Sequence, residues 1–163
     1  MTVIAWDGVT LAVDRGAVSG SVMHITDKFI IEQDTGIVMV GAGNASRVVE
    51  LMEWYQDWVG NLYTDLEPKF PITRGAMVAE LIVFNVYEPD VIERFERSST
   101  PIRHTTACAF GEGRDFAYGA MDMGANAVQA VEVAIKRSPY CGGPIDIFTV
   151  GQKDNNVDHT TKE

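Results

Sequence analysis

The sequence predicts a single α+β domain in which two sheets are covered by helices. Two β-rich runs flank an Asp-Gly pair at the very start. Apolar residues recur at helical spacing in separate segments further on. The resulting order is hairpin, strands, helix, strands, two helices, strand, which suits a layered α+β domain. A chain of 163 residues makes one domain and can bury roughly 70% of its unfolded surface.

The elements follow in order. Thr2–Trp6 and Val9–Asp14 flank Asp7-Gly8, the strongest short hairpin signal, because a two-residue turn there needs positive φ at both positions. Counting outward from that turn sets Met1 and Thr2 opposite Val13 and Asp14. Residues 22–31 form a strand, and Gly36–Val40 its partner after Asp34-Thr35-Gly36. Gly41-Ala42-Gly43 leads to Asn44, an N-cap residue, and Val48, Leu51, Met52, Tyr55, Trp58 and Val59 define an amphipathic helix over 45–60. Pro68, Pro71 and Gly75 make 63–76 a loop. The apolar run 78–87 is a strand buried on both faces. Shorter strands follow near 91–97 and at 105–110, then helices at 115–123 and 126–137 separated by Gly124, and a last strand at 145–150. The domain occupies 1–150, and the polar segment 151–163 is expected to be a mobile tail.

Composition excludes several functions. There are 13 basic and 23 acidic residues, a net charge of -10. That opposes binding to a phosphate backbone or to an anionic membrane face. No apolar run approaches the ~20 residues of a membrane helix, and no signal peptide precedes the domain. Cys108 and Cys141 fit no disulfide framework or zinc pattern and suit small buried thiols in a reducing cytoplasm. His24, His104 and His159 are too scattered for a metal site.

Taken singly, the candidate functional residues have ordinary explanations. Gly41-Ala42-Gly43 and Gly111-Glu112-Gly113 suit tight strand-to-helix turns as well as anion cradles. They lack the rest of a nucleotide fingerprint. Lys28 suits a strand edge and Asp14 a turn. A threonine after the initiator Met is common. Once Met1 is removed, however, Thr2 acquires an α-amino group of pKa ~8 that can act as base for its own hydroxyl.

Their order is more telling. Thr2, the hairpin returning to Asp14-Arg15, Lys28 before an apolar strand and Gly41-Ala42-Gly43-Asn44 opening a helix resemble the start of a proteasome β-subunit or of the bacterial proteasome-like HslV peptidase. Residues 109–121 resemble that family's strand–GSG–helix segment, residues 124–134 its next helix, and residues 140–148 its closing loop and strand. The resemblance covers about 1–150 and is nearest to short, propeptide-free members of the kind found in phages and bacteria. It implies an N-terminal nucleophile (Ntn) hydrolase fold, a four-layer α-β-β-α sandwich. By the same resemblance Thr2 matches the nucleophile, Asp14 the acid near it, Lys28 the cation that lowers the threonine's effective pKa, and a backbone N–H near Gly41 the oxyanion donor. No cofactor and no metal are implied. The implied assembly is a homo-oligomeric ring of six or seven subunits, single or double, fed by an AAA+ ATPase unfoldase. In it, unfolded polypeptides would be cut through an acyl-threonine ester in the cytoplasm of the cell or phage host.

Three departures qualify the match. The hairpin is several residues short. Glu112 replaces the serine of the GSG segment, either as a compensating carboxylate or as a group that holds the amine protonated. Gly142-Gly143-Pro144 stands where active members carry aspartate. A ring-forming protein without catalysis and an amidase of small molecules therefore remain the alternatives. Trp54, Tyr55 and Trp58 suit either a subunit interface or cover for the sheet.

Overall fold

The computed structural model describes residues 2–61, 68–72, 78–88 and 90–151. The expected tail and most of the expected loop at 63–76 lie outside these residues. Eleven strands and three helices follow one another: β1 (Val3–Trp6), β2 (Thr10–Asp14), β3 (Gly16–Ser19), β4 (Val22–Ile25), β5 (Phe29–Glu32), β6 (Ile37–Gly43), α1 (Ala45–Gly60), β7 (Ala79–Asn85), β8 (Ile92–Phe95), β9 (Ile102–His104), β10 (Cys108–Gly111), α2 (Arg114–Asp122), α3 (Ala127–Arg137) and β11 (Ile145–Thr149). They form three antiparallel sheets, ordered β10-β1-β2-β11, β3-β4 and β5-β6-β7-β8-β9.

This corrects the expected α+β four-layer α-β-β-α sandwich of an Ntn hydrolase. The fold is β-rich. Among the described residues eleven strands outweigh three short helices, of which α1 packs on the five-stranded sheet and α2 and α3 on the four-stranded one. The β3–β4 ribbon pairs with neither larger sheet. Ile4, Leu11, Val13 and Phe148 of the four-stranded sheet meet Val40, Ile82, Phe84 and Ile92 of the five-stranded one in the central core. The small residues Ala127, Ala130 and Ala134 let α3 approach the other face of the four-stranded sheet closely. Trp54 and Tyr55 are buried against Phe95, so these two aromatics cover the sheet.

Local chemistry explains the agreements. Asn44 caps α1 by accepting the Arg47 N–H at 3.2 Å. Asn126 and Gln129 form a reciprocal capping box on α3. β7 is buried on all but its last residue, as expected between β6 and β8.

It also explains the differences. The Asp7-Gly8 hairpin exists with a longer loop. Asp7 Oδ1 accepts the N–H groups of Val9 and Thr10 at 3.0 and 2.8 Å, and only Gly8 has positive φ. Ile4 therefore lies opposite Val13 and Trp6 opposite Leu11. The expected pairing of Thr2 with Val13 is off by two residues, an even slip that leaves every side chain on its expected face. The single strand expected over 22–31 is two strands. Arg15 breaks it: its carbonyl takes the Thr26 N–H at 2.9 Å and its guanidinium pairs with Asp27 at 2.5 Å. The break leaves Lys28 at the entrance to β5.

Candidate active site

Asp14 ends β2 with a wholly buried carboxylate. Its Oδ1 accepts the Val3 N–H at 2.8 Å and the Lys28 ammonium at 2.8 Å. Its Oδ2 accepts the Gly142 N–H at 2.9 Å. The Lys28 side chain is 8% exposed. A buried ion pair of this kind returns little net stability, because desolvation offsets the attraction. Its consequence is positional: a lysine ammonium is held beside the amide that follows Thr2. Burial pushes the Lys28 pKa below its ordinary value, against the opposing pull of Asp14 and Asp146.

Thr2 precedes β1 and is 4% exposed. Its carbonyl accepts the Gly113 N–H at 3.3 Å. Gly111 passes so close that a Cβ there would fall 2.3 Å from the Thr2 carbonyl oxygen, and its φ is +81°. Glu80, from β7, holds Gly111 in place by accepting its N–H at 2.9 Å. Thr2 lines a cleft of about 380 Å³, and Glu112 is on the same cleft. Asp14 reaches the amide that follows Thr2 from the sheet side, and Lys28 is bound to the same carboxylate oxygen.

Gly41 does not supply the expected oxyanion donor. Its N–H is bound to the Lys28 carbonyl at 3.1 Å. Its glycine character serves packing, since a Cβ would lie 1.9 Å from Val48 Cγ1 on α1. Gly41→Ala is expected to push α1 outward at a cost of about 1–3 kcal/mol, seen as a lower urea midpoint at unchanged m-value. Strand alternation turns the Gly43 N–H to the same side as that of Gly41, past the start of β5. Gly43 also lines the cleft with Thr2.

Gly142-Gly143-Pro144, expected only as a departure from an active pattern, is part of the site. Gly142 donates to Asp14, and the Pro144 carbonyl takes the Arg15 N–H at 3.0 Å. A Cβ on Gly16 would lie 2.6 Å from the Gly142 oxygen, so two glycines let the strands meet. The buried Asp146, 3.8 Å from Arg15 Nε, and the Glu80–Arg94 pair were not foreseen. Their only sequence signal is a charge within a β-rich run. Both cysteines are buried and free. Burial raises the Cys141 pKa and pushes Cys108 up to about 12, so both stay protonated thiols at neutral pH.

A threonine thus lies at the edge of a charged cleft, with a buried lysine–aspartate pair behind it. In fold, the chain is similar to Thiobacillus denitrificans BPH in complex with epoxomicin. The TM-score is 0.62 at 16% identity, over 93% of this chain and 100% of that one. A second structure of Thiobacillus denitrificans BPH gives 0.60 at 14% identity, over 92% and 98%. At such identity the likeness is one of fold alone. No family model and no curated protein matches the sequence. Among the described residues no helix is long and apolar enough to cross a membrane.

Proposed function

We propose that this chain is a threonine-nucleophile peptidase that cuts polypeptides through an acyl-threonine ester, within a cytoplasmic homo-oligomeric ring. One observation carries the reading: the buried Asp14 carboxylate binds the Lys28 ammonium and the amide following Thr2 with a single oxygen. The chemistry requires a free amine on Thr2. That amine takes the proton from Thr2 Oγ1 as the oxygen attacks the substrate carbonyl carbon. The Gly43 N–H faces the oxyanion that develops. The protonated amine then passes its proton to the leaving nitrogen, the C–N bond breaks, and an ester remains on Thr2. Water, deprotonated by the same amine, hydrolyses the ester and restores the hydroxyl. The Lys28 charge favours the neutral amine and the developing alkoxide throughout. Asp14 keeps that cation in place.

The similar Thiobacillus denitrificans BPH structure holds epoxomicin, which supplies the probe. Protein from its natural host is expected to begin at Thr2 by intact mass and to form a one-to-one epoxomicin adduct that maps to Thr2 after digestion. A free Thr2 amine without an adduct or any peptide cleavage would favour a non-catalytic assembly protein. The ring predicts a particle of at least six 17.9 kDa chains by light scattering; a monomer would overturn it.

A further inference from the structure

The cleft beside Thr2 has a chemical character of its own. Glu80, Glu96, Glu112 and Asp115 face it together with Arg94 and Arg114, so four carboxylates meet two guanidiniums. Arg94 is held between two of these carboxylates, and Arg114 is exposed with a looser partner. Arg94 forms an ion pair with Glu80, its Nε 2.8 Å from the carboxylate, and donates to Glu96 through Nη2 at 2.8 Å. Arg114 lies 3.5 Å from Asp115. Glu112 is exposed and has no ion-pair partner among the described residues. Among the described residues the carboxylates of the cleft outnumber its guanidiniums and Glu112 is uncompensated, so a cationic substrate group is favoured there over an anionic one. The cleft also grades in polarity. Ala42, Gly43 and Val78 form its apolar part beside Thr2. Such a wall suits a hydrocarbon stem that ends in charge, as in lysine and arginine.

We propose that this cleft is a specificity subsite for a cationic side chain of the substrate, lysine or arginine, with Glu112 as the principal counter-charge. The proposal rests on the peptidase reading for the word substrate, but not for the binding itself.

The test uses the full-length Thr2→Ala protein, which binds without turnover, and three fluorescent peptides identical except for one Arg, Leu or Glu. The Arg peptide is expected to bind about tenfold more tightly than the Glu peptide at low ionic strength, with Leu between them and the gap closing as salt rises. Glu112→Gln should remove most of that gap. Equal binding, no binding, a preference for Glu, or a preference untouched by Glu112→Gln would each overturn the proposal. Cleavage of the same peptides by wild-type protein separates the two claims. Cleavage at equal kcat/KM for all three defeats the subsite and spares the peptidase. Charge-selective binding with no cleavage defeats the peptidase and spares the subsite.

Discussion

Thr2→Ala is expected to abolish peptide-bond cleavage and epoxomicin labelling, with kcat falling by at least about 10⁴-fold, while the protein stays folded. The first expectation follows from the acyl-ester mechanism, which has no second nucleophile on offer: Cys108 and Cys141 are buried protonated thiols. The second follows from the way Thr2 is held. Its carbonyl accepts the Gly113 N–H, and the next amide is bound to Asp14. Both bonds belong to the backbone and survive the substitution. Thr2→Ser keeps a hydroxyl and should retain measurable turnover with the same pH dependence. Mass spectrometry after peptide incubation and a thermal melt separate loss of chemistry from loss of fold. Full activity in the alanine variant would remove Thr2 from the mechanism.

How far the residues alone foretold this arrangement depends on the range of the interactions involved. Helix α1 was legible to the residue, because its cap at Asn44 and its apolar spacing are local signals. The first hairpin was legible in existence but not in register. The deciding contact is the Asp7 side chain bonding two amides, and an Asp-Gly pair is compatible with either loop. The split between β4 and β5 was hidden because Arg15, more than ten residues away, causes it. The pairings of β1 with β10 and β2 with β11 join strands far apart in sequence, where periodicity carries no information. The four-layer expectation came from resemblance, and the strands actually present corrected it.

The site shows the same division. Thr2, Asp14 and Lys28 could be singled out by order along the chain. Gly41 and Gly43 could not be told apart within Gly-Ala-Gly, since the difference lies in which N–H the start of β5 occupies. Glu80 was hidden inside an apolar run. Its carboxylate is tolerated there because Gly111 and Arg94 satisfy it.

Lys28→Met should cost activity and stability together, and a second substitution should part them. Removing the ammonium strands the Asp14 carboxylate in the core, 0% exposed, with two amide donors and no countercharge, at a cost of about 3–5 kcal/mol. The Asp14→Asn/Lys28→Met double variant removes both charges and keeps an acceptor for the Val3 N–H. It should recover most of the lost stability and none of the activity. If the double variant cleaves peptides, Lys28 is a structural residue only.

The wild-type pH dependence gives an independent check. The Lys28 pKa lies below its ordinary 10.5, with burial the largest cause. Activity that needs the ammonium must therefore fall as pH rises through that lowered value. Stability moves the other way. Between the lowered pKa and 10.5 the unfolded chain binds the extra proton, so the Lys28 contribution to unfolding free energy rises with pH. An alkaline loss of rate accompanied by a rising Lys28 contribution, taken as the difference between wild type and the double variant in urea titrations, would assign the limb to the ammonium. A rate that fell only as the protein unfolded would assign it to the fold instead.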